Sequence, residues 1–311
     1  TLVRTAPLLM CALSILFAYK VGMFNIGAAG QYVAGACVGL YAAIAWQLPW
    51  YLCLLAAMLF GAIWGALPGI FKAYLNINEV ITAIMFNWIG LYMVNDIMYG
   101  KGKSPMYDLA STKTYSLRKA APQAMIPSLG MSELFGKLQS VTIAIFIAIF
   151  FAIVVYIILN KTAFGYELRA CGFNKNAARY AGINEKRNII LAMMISGALA
   201  GVGAGLYYLS TVAEWNPQVS TALPAMGFNG ISTALLACSN PIGTIFSSLF
   251  ISYITVGGTK LSTQYYTKEI ADVITALIIY LCAFSLLFKN KIRALLVGKA
   301  KRVSVGKGGD D

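Results

Sequence analysis

Charge is scarce in this chain, and histidine is missing from it altogether. Asp, Glu, Lys and Arg make up 11% of the residues, against about 25% in an ordinary soluble domain. A water-facing surface cannot be assembled from half the usual charge, so most of the exterior must face lipid. The lack of histidine removes the commonest general base and the commonest metal ligand. Cysteine is present, but no pair has metal-ligand spacing. Cys11, Cys37, Cys53, Cys238 and Cys282 lie in apolar stretches and Cys171 in a basic one, so neither a disulfide framework nor a zinc site is expected. Acids are scarce within the apolar runs, which makes an ion-coupled secondary transporter only a second alternative, since that needs mid-span acids or histidine as proton or sodium sites. A membrane enzyme would need a catalytic cluster near an interface, and none is visible. Finally, no Gly-x-x-x-x-Gly-Lys-Ser/Thr run occurs. The nearest stretch, Gly130 to Lys137, has the wrong spacing and runs into Leu138, so any ATP must be hydrolysed by another chain.

What the chain does have is hydrophobicity: 59% of its 311 residues are hydrophobic and the mean hydropathy is +0.72. A bilayer-spanning helix needs about 20 apolar residues. By that ruler the runs 6–19, 32–46, 49–71, 80–98, 141–159, 189–209 and 270–288 read as spans, with a broken pair at 226–237 and 242–256. The expected fold is an all-α, polytopic transmembrane bundle of about eight or nine spans, forming one permease-like domain over 1–311. Its parts would be a first helical half at 1–98, an external loop at 100–139, a central span at 140–159, a cytoplasmic loop at 160–188, a second half at 189–288 and a cytoplasmic tail at 289–311. The sequence opens on Thr1 directly before an apolar run, and a further N-terminal piece, as much as a whole helix, is expected ahead of it.

The net charge of +13 would suggest nucleic acid in a soluble protein. Here the basic residues sit in short polar gaps rather than in a stripe interleaved with exposed aromatics, which excludes a nucleic-acid partner and fits the positive-inside rule. Segment 160–188 carries Lys161, Arg169, Lys175, Arg179, Lys186 and Arg187, and the tail from Lys289 onward is equally basic. Both are expected on the cytoplasmic side, which places loop 100–139 outside despite its own lysines.

Two apolar regions are interrupted without charge. One is Phe24-Asn25-Ile26-Gly27-Ala28-Ala29-Gly30-Gln31; the other runs from Pro224 to Pro241 and contains Phe228-Asn229-Gly230. Irregular backbone at membrane depth survives only where it is buried or lines a wet cavity. Interruptions in corresponding positions of two halves point to a midplane solute site. Phe24, Asn25, Gly27, Gln31, Asn87, Phe228 and Asn229 are therefore the candidate pathway residues. Amides and aromatics without Lys or Arg suit an uncharged, hydrogen-bonding solute with a stackable ring or sugar face. Glu79 opens the fourth span, where an acid at a helix N-terminus is ordinary. Gly197, Gly201 and Gly205 read as helix packing.

Segment 165–183 is too polar to span. It predicts two short helices, 166–171 and 175–181, separated by Gly172, with Asn174 as N-cap and Gly182 as stop. Small residues at Ala177, Ala178 and Ala181 would let the second helix seat in a partner's groove, with Glu167 and Arg169 as rim contacts.

That segment, GYELRACGFNKNAARYAGI, resembles the cytoplasmic coupling loop of ATP-binding-cassette (ABC) importer permeases, and within them the branched-chain amino acid, ribose and nucleoside permease family. The stretches MFNIGAAGQYVAGA (23–36), NINEVITAIMFNWIGLYMVN (76–95) and TALPAMGFNGISTALLACSNPIG (221–243) extend the resemblance over nearly the whole chain, closest to the nucleoside or simple-sugar branch. Family members commonly carry an acid where Ala29 stands, so no role carries over to that position. The resemblance implies a permease subunit in a bacterial cytoplasmic (inner) membrane, with a second permease subunit as heterodimer partner. It also implies a cytoplasmic ATPase that binds ATP and Mg, leaving this chain without a cofactor, and an extracellular substrate-binding lipoprotein. Gly165, Glu167, Arg169, Gly172, Asn174, Ala177, Ala178 and Gly182 would carry the coupling to the ATPase. A receptor or scaffold would leave this loop unexplained.

Overall fold

In a computed structural model the described residues are 1–130, 141–217 and 222–258, with Glu133 and helical positions scattered between 270 and 281. The chain forms two compact units, Thr1–Tyr253 and Ile254–Asp311. The expected last span, 270–288, lies largely outside the described residues, and the tail 289–311 lies wholly outside them.

The apolar runs become helices at nearly the expected places: α1 Leu2–Lys20, α2 Ala28–Ile44, α3 Trp50–Leu75 and α4 Glu79–Tyr99. A two-residue hairpin follows, β1 Tyr107–Asp108 against β2 Lys113–Thr114, then the single turn α5 Leu117–Ala120. The remainder is α6 Ala144–Lys161, α7 Ala163–Phe173, α8 Lys175–Tyr180, α9 Glu185–Tyr208, α10 Ala225–Leu236 and α11 Pro241–Gly258. Polar caps set the boundaries. The side chains of Asn78, Thr162, Asn174 and Asn184 accept first-turn amide bonds from Val80, Gly165, Ala177 and Arg187, satisfying donors a helix start leaves unpaired.

Among the described residues α1, α3, α4, α6, α9 and α11 are long and apolar enough to cross a membrane. The shorter apolar helices α2 and α10 complete a helical polytopic bundle. α9 lies at its centre, packed along α3, α1 and α2.

Glycine sets how tightly that core closes. A Cβ on Gly61 or Gly65 would overlap the backbone oxygen of Gly197 or Met193, and one on Gly197 or Gly201 would overlap that of Gly61 or Ala57. α3 and α9 therefore touch backbone to backbone, as small residues permit. α2 enters the same seam, where a Cβ on Gly35 would lie 2.5 Å from the Gly201 Cα.

The two ends of the bundle differ. At one end Lys72 pairs with Glu79 at 2.9 Å, Lys175 with Glu185 at 3.7 Å, and the Lys186 ammonium lies 5.1 Å from the Tyr74 ring centroid. At the other, Gln47 donates to the Ala120 carbonyl, and the Thr114 amide donates to the Trp215 carbonyl.

Candidate functional site

α1 stops because Gly22 can adopt φ +80°. The amides of Gly22 and Met23 donate to the carbonyls of Tyr19 and Ala18, the paired bonds of a Schellman stop. The chain then turns back along the bundle, and α2 starts only at Ala28. All of α2 except Val38 and Tyr41 is buried.

Inside this break, the Asn25 amide donates to Gln31 Oε1 at 2.8 Å and to Ser196 Oγ at 2.6 Å, with Ser14 Oγ at 3.3 Å. Gln31 Nε2 returns a bond to Asn25 Oδ1 at 3.2 Å. Ser196 spends its one hydrogen on the Ser14 carbonyl at 2.7 Å, so the 2.9 Å contact between the two hydroxyls has Ser14 as donor. Ser14 and Ser196 belong to the interiors of α1 and α9, which puts Asn25 well within the bundle. All four side chains are at most 1% exposed. The network is uncharged and closed on itself, as a polar group in an apolar core must be.

Asn87 of α4 braces the same break. Its Oδ1 accepts from the Gly30 amide at 2.8 Å, and its Nδ2 donates to the Ile26 carbonyl at 3.0 Å. Gly27 fits among the Asn25, Gln31 and Ala83 side chains. Asn25, Gln31 and Asn87, expected to line a pathway, are thus tied up by one another and by backbone in this conformation. The neighbouring Trp88 points elsewhere, 40% exposed and stacked on Tyr92.

The second break meets the first. A Cβ on Gly227 would lie 2.5 Å from the Ala29 Cα, and one on Gly230 would lie 2.9 Å from the Cys11 Cβ. The N-termini of α2 and α10 therefore cross at Ala29 and Gly227, bringing two positive helix-dipole ends beside the amide network. Phe24 and Asn229 are half-buried and Phe228 is 39% exposed at this junction. The Asn229 carbonyl accepts from the Thr233 hydroxyl at 2.8 Å.

The other candidate residues form an elbow at the charged end, made by α7 and α8. A Cβ on Gly165 would overlap the Ile158 carbonyl of α6. Glu167 accepts from the Asn188 amide at 3.0 Å and so turns inward onto α9. Arg169 reaches the Gly165 carbonyl at 3.4 Å. Asn174 caps α8 through the Ala177 amide at 3.1 Å, and Gly182 ends it at φ +81°. One expectation needs correction. Gly172 does not separate the helices: it lies inside α7, because a close approach to the Lys20 carbonyl, which a Cβ would overlap, requires glycine there. Ala178 is 4% exposed and lies against the elbow's own packing rather than projecting from it, whereas Ala177 is exposed.

Sequence reading missed Ser14 and Ser196, whose only signal was a hydroxyl inside an apolar run. It also missed three aromatics the elbow holds outward: Tyr166 is 65%, Phe173 92% and Tyr180 94% exposed. Tyr166 and Phe173 flank a groove of about 460 Å³ between α7 and α8, floored by Ala170, Ala177 and Ala178. Burial raises the pKa of the Cys171 thiol against a weaker opposing contact from Asn188. Among the described residues no group of acids, cysteines or histidines could hold a metal ion.

Comparison with known proteins gives a consistent result. The family described as "Branched-chain amino acid transport system / permease component" matches residues 1–283. The chain is 33% identical to the nucleoside ABC transporter permease protein NupB of Lactococcus lactis, over 99% of this chain and 85% of the relative. It is 31% identical to the guanosine ABC transporter permease protein NupP of Bacillus subtilis, over 97% and 84%. It is 27% identical to the glucose ABC transporter permease protein TsgB13 of Haloferax volcanii, over 93% and 76%. No solved structure matches.

Proposed function

The chain belongs to the branched-chain amino acid transport system / permease component family, and from that premise we propose that it is the membrane-spanning subunit of an ABC importer carrying nucleosides inward. The observation that carries the substrate is the uncharged junction of the two broken helices. Amides and hydroxyls there can bond the hydroxyls and base edges of a neutral solute, and none of Phe24, Asn25, Gly27, Gln31, Asn87, Phe228 and Asn229 supplies a cation to pair with a carboxylate or phosphate. The likeness to nucleoside and guanosine permeases points the same way. Because the amide network is closed in this conformation, passage requires bonds of Asn25 and Gln31 to be exchanged for bonds to solute.

Energy enters from a separate cytoplasmic ATPase, which binds ATP and Mg itself and docks on the elbow of this chain in a bacterial cytoplasmic membrane. A second permease subunit completes the pathway, and an extracellular binding lipoprotein delivers the solute. Phe173 and Tyr180 serve as the ATPase anchors, since large aromatics give most per side chain at an interface. Tyr180→Ala is expected to leave folding within about 0.5 kcal/mol while lowering ATPase capture roughly tenfold, a loss of about 1.4 kcal/mol.

The deciding measurement is uptake into proteoliposomes holding both permeases, the ATPase and the binding protein. ATP-dependent accumulation of radiolabelled guanosine or another nucleoside is expected. A second reading, simple sugars, follows from the glucose permease among the relatives; uptake of glucose or ribose with no nucleoside uptake would select it. Uptake by this chain without the ATPase would overturn the importer reading.

A further inference from the structure

At the end of the bundle opposite the elbow, a cavity of about 270 Å³ opens between the β2–α5 segment and the chain leaving α9. Its volume is near the lower limit of small-molecule sites, about 300 Å³, and its lining includes Tyr115, Ser116, Arg118, Tyr208, Thr211 and Glu214. The two walls are pinned to each other. The Thr114 amide donates to the Trp215 carbonyl at 2.8 Å, the Trp215 amide donates to the Thr114 hydroxyl at 3.0 Å, and the Trp215 indole donates to Asn95 Oδ1 at 2.9 Å. Arg118 reaches Thr211 Oγ1 through Nε at 3.4 Å and through Nη2 at 3.2 Å, so its guanidinium braces the wall. Thr211 itself is held at φ +53°, a left-handed conformation that is costly for a β-branched residue and that clusters at ligand sites. The cavity is therefore preformed rather than a gap between loose loops.

We propose that this cavity is an outer subsite for the nucleoside, in which Glu214 holds the ribose and Tyr115 stacks on the base. This rests on the importer reading and adds a second solute site to it. The amide junction is uncharged, whereas this cavity offers a carboxylate, which accepts both hydroxyls of a ribose cis-diol through short charge-assisted bonds. The 3.9 Å contact from Lys113 is too long for a hydrogen bond and leaves that carboxylate most of its lone-pair capacity. Glu214 also repels phosphate and carboxylate groups, which selects nucleosides over nucleotides. Tyr115 is 41% exposed, so its ring can receive a base. Leu40 of α2 and Tyr208 of α9 line the cavity, and the same two helices carry Gln31 and Ser196 of the amide network. At 1.5 Å per residue the cavity stands roughly 14–18 Å outward of that network along the two helices. Tyr208 also contacts the buried Tyr32, with ring centroids 6.3 Å apart, and Tyr32 follows Gln31 directly in α2.

The test uses the assembled transporter in lipid nanodiscs, both permeases with the ATPase and without the binding protein, probed with radiolabelled 8-azidoguanosine under ultraviolet light. Label is expected within residues 114–118 or 208–214. Unlabelled guanosine should suppress it at concentrations at least fivefold lower than 2′,3′-dideoxyguanosine, which lacks the diol, or leucine, which is a zwitterion. Glu214→Gln should lower the labelling at least fivefold while capture of the binding protein stays within about twofold of wild type. Label confined to other parts of the chain, equal suppression by the dideoxynucleoside or by leucine, or undiminished labelling of Glu214→Gln overturns the proposal. Loss of binding-protein capture in Glu214→Gln also overturns it, because the face would then be a docking surface for that protein. If Glu214→Gln does not assemble, the position of the label and the competition series in the wild-type complex decide alone. Failure of the importer reading looks different: the wild-type complex with its binding protein then takes up no nucleoside. Normal uptake with unlabelled cavity walls removes the subsite and leaves the importer reading in place.

Discussion

At the scale of the residue, the buried amides illustrate how far a sequence can be read. Asn25, Gln31 and Asn87 were conspicuous because an amide in an apolar run is costly unless it is paired. Their partners were not legible, since Ser14 and Ser196 are 182 positions apart and nothing local marks either one. The pairing gives a prediction. Asn25→Ala removes both bonds between Asn25 and Gln31, leaving a buried primary amide with neither; a loss of about 2 kcal/mol is expected, read as a lower unfolding temperature in detergent. An unchanged unfolding temperature would mean that water enters the site and satisfies Gln31. The cysteines give a second. Cys171 is 1% exposed and burial raises its pKa, so at pH 7.5 it is a protonated, shielded thiol. Cys238 is exposed. A maleimide at pH 7.5 should modify Cys238 at least tenfold faster than Cys171 in the folded chain. Because the folded-state pKa of Cys171 lies above its unfolded value of about 8.5, its contribution to stability is complete below that pH. It is lost as pH rises toward the folded-state value, so modification of Cys171 should accelerate as the pH is raised above 7.5.

At the scale of the element, the helices were legible because apolar run length measures a span directly; α3, α4 and α9 begin and end within a few residues of expectation. Gly172 was misread for a physical reason. Glycine is a poor helix former, and within a polar segment it suggests a break, whereas here a close contact from α1 outweighs that preference. The glycines of α9 were legible as packing residues, but their facing partners on α3 were not. The seam is testable. Gly197→Ala places a methyl against the Gly61 carbonyl with no side chain to yield. Separating the two helices should cost about 3 kcal/mol. Gly39→Ala meets the Ala57 Cβ at 3.2 Å, a contact a small shift relieves, and should cost about 1 kcal/mol or less. Comparable unfolding temperatures for the two variants would show that the seam is looser than the backbone contacts require.

For the whole molecule, the remaining question is which end faces the cytoplasm. Loop 100–119 carries Lys101, Lys103, Lys113, Arg118 and Lys119, and the elbow with its neighbours carries a comparable set, so residue counting alone leaves a conflict. The structure lessens it. Lys113 lies 3.9 Å from Glu214 and Arg118 bonds Thr211 at 3.2 Å, which anchors part of the basic charge of loop 100–119 within its own end of the bundle. At the elbow, Lys161, Arg179, Lys186 and Arg187 are exposed beside the ends of α6 and α9, where basic residues resist translocation most. The elbow end should therefore be cytoplasmic, as docking of an ATPase also demands. Two introduced cysteines test this in a background where Cys238 and Cys282 are both replaced by Ala and the other four cysteines are buried. Leu109→Cys lies in the hairpin loop, at a position 71% exposed, and Asn160→Cys lies at the exposed end of α6. A membrane-impermeant maleimide added to intact cells should modify Leu109→Cys and leave Asn160→Cys unmodified until the membrane is permeabilised. The reverse pattern would put the elbow outside, where no ATP is available, and the importer mechanism would fall with it.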